Sequence, residues 1–600
     1  MPSILASLNI ATKALLTSQT AMGTISHNIA NTNTEGYSRQ RIITESESSV
    51  GFGSGVRISE IQRVVNERLA SRISEQHGIN GFNDTRYDYM KDMEVVFGLP
   101  SSETSMDKVL NGLFSEMNVL AGAPDSSSQQ LNVVQNMLFV TDTLNTMSLD
   151  IQSVQNRIDT EIDNEVIAVN SAIIKIHELN NEITTLQLTG QNGGNPNDLL
   201  DARQRQVDII AEKLSVTTSI DVDGRMRILT DSGRRLVDTS YTQLERIPGS
   251  PYADIGVRSV LADGSPAVNV FPILLDRMNY GSIKGMVDIR DDFLTDLDAE
   301  IDEMSTVMIR EFNLLHSQGT GIPPQSTYLT GNGANISAAG VDLFSAAELN
   351  MTPGTSFDLS VVDAATGQPV ATTLPAGGGT LSIDIPAAGP FTLADLAALI
   401  NGNPDVGALV TATVTVDAAG LPALQVDANN AGEALVMRNN TGNPLGELGM
   451  NNLLIGTDAA DISVRSDIQA TPSLLATARM RISDGGLSFN DNQNIVELAQ
   501  MADTEFSFAA AGVLGSQTDS IAGYFITLVA NYSVSLADAH DRSDFSDAIL
   551  VDLKERLSEE SGVNQDEELA NLLVFQNSFQ ASARIISIMD EMLQTLINMI

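Results

Sequence analysis

Residues 4–29 of this chain read ILASLNIATKALLTSQTAMGTISHNI, and residues 572–600 read LLVFQNSFQASARIISIMDEMLQTLINMI. In both stretches large apolar side chains return every three or four residues, which is the spacing of a coiled-coil seam. Chain ends are usually polar and frayed, so two apolar ends indicate helices that pair with each other or with other copies. The predicted seam comprises Ile4, Leu8, Leu15, Met22, Ile25, Ile29, Leu572, Phe575, Phe579, Ile586, Met589, Leu593, Leu596 and Ile600, with Ser18 and Ser582 as weak positions.

The first helix is predicted to end between Asn28 and Asn33, where asparagine and threonine side chains compete for backbone hydrogen bonds. Gly36 then permits a tight turn, and an extended segment follows over residues 38–43. The glycines at positions 51, 53 and 55 lack the spacing of a phosphate-binding loop and predict a hairpin instead.

The middle of the chain alternates between helical and β-rich stretches. A long helix is predicted through residues 144–186, and further helices through 294–315, 395–400 and 521–536. Period-two alternation and Gly-containing turns predict strands elsewhere. The predicted strands are residues 216–222, 226–230, 236–244, 257–261, 355–362, 380–385, 409–416 and 424–426.

The predicted fold class is mainly α with β-rich insertions, because 600 residues exceed what one compact core holds. Paired terminal coiled-coil helices, a long helical middle domain and outward-facing β-rich domains are expected. The predicted domains are 1–60 with 560–600 (terminal), 61–214 with 285–335 and 465–559 (helical middle), 215–284 (β-rich) and 336–464 (β-rich, inserted and exposed).

The composition argues against several kinds of function. A net charge of −43 repels nucleic-acid phosphates and anionic membrane surfaces. The absence of cysteine excludes disulfides, thiolate metal sites and cysteine nucleophiles. Arg584, Asp590 and Glu591 interrupt the most apolar segment, so no membrane insertion is expected. The N-terminal stretch lacks the pattern of a cleavable signal peptide, since Lys13 interrupts it.

The sequence also lacks a recognisable catalytic, cofactor-binding or metal-binding motif. The histidines at positions 27, 77, 177, 316 and 540 have no metal-ligand spacing. No Walker loop, dinucleotide fingerprint or Gly-x-Ser-x-Gly elbow occurs. We therefore predict no enzyme activity, no cofactor and no catalytic residue.

Three motifs resemble the axial proteins of the bacterial flagellum, which build its rod, hook and hook-associated parts. The first spans residues 27–40, with Glu35 where that family has proline; the second spans 197–203, and the third runs from 561 to 584. Their order matches. The ending of the first motif, residues 37–40, and both other motifs resemble the subunits that join hook to filament. The motif residues carried over are Asn28, Asn31, Asn33, Gly36, Tyr37 and Arg39.

The resemblance implies a structural subunit of the hook–filament junction that self-assembles through its terminal helices after export in an unfolded state. It implies these partners: further copies in a helical ring, hook protein below, a second junction protein above, and a cytoplasmic export chaperone at the C-terminal helix. The implied location is the extracellular flagellum. Hook protein, distal rod protein, a cell-wall-cleaving enzyme and a surface adhesin are the alternatives.

The segment from Arg39 to Arg86 is richer in arginine than the rest of this acidic chain. It is predicted either to bridge acidic neighbours between subunits or to form ordinary surface ion pairs, which contribute little to stability.

Overall fold

The structure is a computed structural model that describes residues 4–49, 52–97, 105–189, 196–249, 251–261, 264–273, 277–330, 340–344, 351–370, 381–404, 407–416 and 421–598. The chain forms two compact units. The first unit consists of Met1–Met90, Asn156–Arg290 and Leu536–Ile600, and the second of Lys91–Gln155 and Asp291–Ser535. The limits of these units fall inside three of the helices given below. The domain division predicted from the sequence stays a prediction.

Helices dominate the described residues, as the fold-class prediction requires, and each helix predicted above is confirmed. A π-helical turn, Asp288–Phe293, joins the helix that ends at Val287 to the helix that begins at Leu294. The helices are α1 (Ile4–Ala30), α2 (Glu67–Met93), α3 (Met106–Ala121), α4 (Ser127–Thr189), α5 (Asn197–Lys213), α6 (Ser282–Val287), α7 (Leu294–His316), α8 (Leu393–Asn401), α9 (Pro444–Glu447), α10 (Ser466–Ala470), α11 (Gln493–Gln500), α12 (Ile521–Ser561) and α13 (Gln565–Asn598).

The strands form small antiparallel sheets. Sheet orders are β1-β2, β3-β4-β5, β6-β7-β8, β11-β10-β14, β12-β13-β9, β15-β16 and β17-β18. Their bounds are β1 (Gln40–Ser49), β2 (Phe52–Arg63), β3 (Val216–Ile220), β4 (Met226–Thr230), β5 (Arg235–Val237), β6 (Thr242–Ile247), β7 (Asp254–Val260), β8 (Pro266–Pro272), β9 (Thr327–Leu329), β10 (Ser356–Asp363), β11 (Leu381–Asp384), β12 (Val410–Val416), β13 (Pro422–Ala428), β14 (Glu433–Thr441), β15 (Leu454–Ile455), β16 (Ser463–Val464), β17 (Phe506–Phe508) and β18 (Gln517–Asp519).

The longest helix, α4, has 63 residues and contains neither proline nor glycine. Its apolar residues recur every three or four positions, and Ile158, Ile162, Val169 and Ile176 are fully buried within the first unit. A continuous apolar stripe of this kind lets one helix serve as a core element along its length.

The predicted strand over residues 236–244 is wrong as a single element. The chain turns between β5 and β6, where the Asp238 N–H donates to the Ser240 carbonyl at 2.9 Å. Asp, Thr and Ser at positions 238–240 favour such turns because their side chains compete for backbone hydrogen bonds. The predicted hairpin near the N-terminus is confirmed as β1-β2, although Gly51 lies outside the described residues and Gly55 belongs to β2.

The second unit has its own apolar core around β10, which is buried at every position except its last residue. Phe357, Leu359 and Val361 on one face of β10 pack with residues of α8, β13 and β14. The helix α8 begins with a capping box in which the Thr392 side chain accepts from the Asp395 N–H, and the Asp395 carboxylate accepts from the Thr392 N–H.

Candidate assembly site

The two ends of the chain pair as antiparallel helices, α1 with α13. The Ser18 hydroxyl donates to the Ser578 hydroxyl at 3.3 Å, and ten residues further along α1 the Asn28 amide reaches Glu568. The buried residues of α1 are Ala11, Ser18, Ala21, Ile25 and Asn28. Most of these side chains are small, which lets two helix backbones approach closely.

The sequence-predicted seam shares Ile25 and the weak position Ser18 with this buried line. On α1, Ile25 is buried, and the other predicted positions, Ile4, Leu8, Leu15, Met22 and Ile29, are half-buried. The predicted positions on α13 are likewise half-buried: Leu572, Phe575, Phe579, Ile586, Met589 and Leu593. The side chain of Leu596 and all of Ile600 lie outside the described residues.

Small residues fill part of the contact, and one of them, Ser18, was predicted as a weak position of the seam. Ala11, Ser18 and Ile25 lie seven apart, as do Ala21 and Asn28, so the buried line keeps a heptad spacing. Ser18, a weak position by size, is 3% exposed. Because the contact is close, the larger Leu8, Leu15 and Met22 flank it instead of filling it.

A second apolar line on α13 is left uncovered. Val574, Ile585, Ile588 and Met592 are 63%, 45%, 49% and 40% exposed. At 100° per residue they lie on one face of the helix, about a quarter turn from the seam. We call these four residues the outer stripe. Leu5 and Leu16 of α1 are also exposed, so apolar surface remains on both helices of the pair.

At the end of the helix pair where α1 ends and α13 begins, Asn28 is the centre of a buried polar cluster. Its Nδ2 donates to the Gln40 carbonyl at 2.9 Å and to Glu568 Oε2 at 3.1 Å. Its Oδ1 accepts from the Tyr37 hydroxyl at 2.7 Å and from the Gln40 N–H at 3.0 Å. Both donors and both acceptor positions of this amide are therefore used.

Arg39 joins the N-terminal motif to the start of α13. Its Nε donates to Glu568 Oε1 at 2.7 Å, and its Nη2 donates to Glu567 Oε1 at 2.8 Å. The Arg39 N–H also donates to the Ser561 carbonyl at 2.9 Å. The hydrogen bond from Arg39 holds the pKa of Glu567 below its usual value. This arginine therefore binds within the chain, to one buried and one exposed carboxylate.

The central motif, residues 197–203, supplies the third side of the cluster. Asp201 is 3% exposed and accepts from the Ser38 N–H at 2.9 Å, the Ser38 hydroxyl at 2.8 Å and Arg63 Nη1 at 2.7 Å. Asp198 accepts from Gln40 Nε2 at 2.8 Å. Three motifs that are far apart in sequence thus converge on one point.

The remaining family-motif residues shape the turn after α1. The Asn31 side chain donates to the His27 carbonyl at 3.0 Å and accepts from the Thr34 hydroxyl at 3.1 Å. Gly36 has φ +71°, a conformation that favours glycine, and a Cβ there would lie 2.8 Å from the Arg205 side chain. Burial, followed by the charges of Asp198 and Asp201, raises the pKa of Tyr37. Asn33 is exposed.

Sequence reasoning did not select Gln40, Arg63, Asp198, Asp201, Glu567 or Glu568 as site residues. Asp198, Asp201, Glu567 and Glu568 lie within motifs already identified. Their negative charges, together with the arginines of residues 39–63, were the sequence feature that could have selected them as site residues. Among the described residues, no cluster of three or more His, Asp or Glu side chains could hold a metal ion. Nor does any described helix carry an apolar stretch sufficient to cross a bilayer.

Three family models match the chain. Residues 90–327 match the helical domain of flagellar hook-associated protein FlgK, residues 555–599 the C-terminal model of the basal body rod FlgEFG proteins, and residues 8–37 the flagella basal body rod protein model. The two shorter matches cover most of α13 and α1, the helices that pair here. The chain is therefore a homologue of the axial proteins of the bacterial flagellum.

Within that class, the chain is similar to proteins named flagellar hook-associated protein 1. The Escherichia coli protein is 24% identical over 98% of this chain and 99% of its own length. The Bacillus subtilis and Salmonella typhimurium proteins are 26% and 24% identical over 39% and 52% of this chain. Those two matches span 48% and 56% of the relatives' own lengths, so the chain aligns with about half of each.

A solved structure supports the fold. The flagellar hook junction protein FlgK from Burkholderia pseudomallei matches with a TM-score of 0.51 and 13% identity, over 81% of this chain and 99% of that one. The predicted fold class and the predicted resemblance are confirmed. The relatives are structural flagellar proteins, and the comparisons favour hook-associated protein 1 over hook protein and distal rod protein.

Proposed function

We propose that this chain is a structural subunit of the bacterial flagellum at the junction between hook and filament. The observation that carries the proposal is the pairing of α1 with α13, which leaves the outer stripe uncovered. The seam holds the two ends of one subunit together, and the outer stripe packs against helices of neighbouring copies.

The free energy available to such contacts is substantial. Full burial of a large apolar side chain contributes about 1.5–3 kcal/mol, and association must offset the ordering of side chains at the contact. A contact between the outer stripe and a different face of the next copy is head-to-tail. Contacts of that kind repeat around a helical axis and build a tube, whereas a self-complementary contact closes into a dimer.

The remaining parts of the proposal are supported by the resemblance. The partners are further copies of the chain in a helical ring, hook protein below and a second junction protein above. An export chaperone binds the amphipathic C-terminal helix in the cytoplasm before the chain leaves unfolded. The chain is not an enzyme, and its −43 charge argues against nucleic-acid and membrane partners.

Three substitutions on α13 test the proposal in cells that lack their own copy of this chain. Ile588→Asp places a charge in the outer stripe, Ile586→Asp places one in the seam, and Gln580→Asp places one on an exposed position away from both. The amount of chain in isolated flagella and the attachment of filaments are measured.

We expect Ile588→Asp and Ile586→Asp to abolish incorporation, and Gln580→Asp to retain it. Circular dichroism of the purified subunits separates the first two variants, because only Ile586→Asp disturbs the pairing of α1 with α13. Normal incorporation of Ile588→Asp would contradict the proposed role of the outer stripe.

A further inference from the structure

In the arginine-rich segment of the first unit, three arginines form no ion pair with the part of the chain that the structure describes. Residues 39–72 contain six arginines and four glutamates, in a chain whose net charge is −43. Arg39, Arg57 and Arg63 bind Glu567 and Glu568, Glu45, and Asp201, respectively. Arg41, Arg68 and Arg72 are exposed, and none of them forms an ion pair with a described residue.

Arg68 and Arg72 share one face of α2. They lie four residues apart, so their side chains are neighbours on the helix surface. Two like charges at this spacing repel each other and destabilise a helix. Arg68 also borders a cavity of about 520 Å³ that is lined by Val64, Val65, Asn66, Glu67 and Glu560. The pair therefore offers two exposed guanidinium groups to an incoming anion on this face of α2.

The helix packed against α2 carries the complementary feature. α12 runs antiparallel to α2: Asn66 Nδ2 donates to Glu560 Oε2 at 2.9 Å, and Gln76 Nε2 donates to the Ser546 carbonyl at 3.0 Å. Ile73 packs with Leu550 and Leu553 between the helices.

On the outer side of α12, Glu555 and Glu559 form a like-charged pair with the same spacing. Both glutamates are exposed, and no ion pair links either of them to a described residue. Glu555 lies two residues beyond Leu553, which places it about half a turn around the helix from the side that packs on α2. The helix pair thus presents a basic face on α2 and an acidic face on α12.

We propose that Arg68 and Arg72 dock onto Glu555 and Glu559 of a second copy of this chain. The inference rests on the proposed assembly and adds a contact between the helices outside the terminal pair. Because the two faces are different surfaces of one molecule, the contact is head-to-tail and can repeat from copy to copy. It also brings opposite charges together in a strongly acidic polymer, where other pairings of surfaces would repel.

Charge reversal tests the contact in the same cells. Arg68→Glu with Arg72→Glu is compared with Glu555→Arg with Glu559→Arg, and with all four changes combined. Arg310→Glu with Arg542→Glu is the control for the first variant. Both of these arginines are exposed, and their substitution changes the net charge by the same amount as Arg68→Glu with Arg72→Glu. Thermal melts of each purified subunit establish that folding is retained.

We expect each reversed pair to lower the amount of chain in isolated flagella about tenfold, as juxtaposed like charges weaken an interface. The fourfold variant is expected to restore incorporation, and the control to match the wild type. Normal incorporation of the Arg68→Glu/Arg72→Glu variant, or failure of the fourfold variant to restore it, would overturn the proposal.

Cysteine cross-linking identifies the two surfaces directly, because the chain has no cysteine of its own. Arg72→Cys and Glu555→Cys are made in separate chains, which are co-expressed and oxidised after assembly. A disulfide-linked dimer containing both chains is expected in flagella, and its absence would count against the contact. If Ile588→Asp blocks incorporation while these experiments fail, only this inference is lost; if Ile588→Asp incorporates normally, the proposed function fails.

Discussion

Asn28 and Glu568, which are 540 positions apart in the sequence, are joined by a hydrogen bond of 3.1 Å from Nδ2 to Oε2. The bond lies where α1 ends and α13 begins. Arg39 approaches the other oxygen of the same carboxylate at 2.7 Å. The turn after the first helix and the start of the last helix are therefore fixed to each other, which sets the register in which the two terminal helices pair.

Replacing Asn28 by leucine is expected to destabilise this junction. The substitution removes four hydrogen bonds and leaves the Gln40 backbone and Glu568 without their buried partner. Such losses cost about 1–3 kcal/mol for a buried polar group left unsatisfied. Urea unfolding monitored by a probe in the first unit measures the effect. A change below about 0.5 kcal/mol, the range of ordinary surface substitutions, would contradict the prediction.

Asp201→Asn is expected to destabilise the first unit more than Asp198→Asn does. Asp201 is buried and its carboxylate faces Arg63, whose side chain is also largely buried. Removing one partner of a buried pair leaves the other charge uncompensated, at a cost of about 3–5 kcal/mol. The Asp198 side chain is 60% exposed, so its substitution serves as the matched control. Equal unfolding midpoints for the two variants would argue against a special role for Asp201.

In the second unit, His316 is expected to make stability fall as the pH is lowered. Its side chain is fully buried, where Nε2 accepts from the Ala476 N–H at 2.9 Å and Nδ1 bonds the Asn451 carbonyl. Burial lowers the pKa of His316 to about 4. Between pH 6.5 and 4 the unfolded chain binds a proton that the folded unit does not.

Relative to His316→Gln, the wild type should therefore lose up to about 3 kcal/mol of unfolding free energy across that window. Unfolding of both proteins is measured at several pH values. A difference in stability between them that does not vary from pH 6.5 to 4 would exclude this role for the histidine.

Glu300 is expected to act with the opposite sign. It is 3% exposed and accepts from the Val513 N–H at 3.0 Å. Burial raises the pKa of Glu300 to about 7, so the folded unit retains a proton that the unfolded chain releases above its ordinary pKa. Stability attributable to this group falls as the pH rises from about 4.5 to 7. The Glu300→Gln variant should show a shallower fall over this range, and an unchanged slope would refute the assignment.

The helices were predictable from sequence because their signals are local. The periodicity of residues 144–186 and of both chain ends persists over many turns, and the turn after Ala30 is marked by Asn31 and Gly36. The division between β5 and β6 was missed, although Asp238, Thr239 and Ser240 are residues that favour the turn between them.

The polar cluster could be predicted only in part. The motif residues were identified from resemblance, but nothing in the local sequence places Glu568 beside Asn28 or Asp201 beside Ser38. Such contacts depend on how distant elements pack. Ser18 was predicted as a weak position of the seam, yet it is buried, because its small side chain fits where the two terminal helices pack against each other.

Thiol labelling at Ile588 tests most directly whether neighbouring copies cover the outer stripe. In a chain without native cysteine, Ile588→Cys carries a unique thiol, and Val222→Cys, at a fully exposed turn, provides the reference. Labelling rates are compared between the free subunit and isolated flagella. We expect position 588 to react readily in the subunit and to be protected in flagella, while position 222 reacts in both. Equal labelling of position 588 in the two states would contradict the proposed assembly.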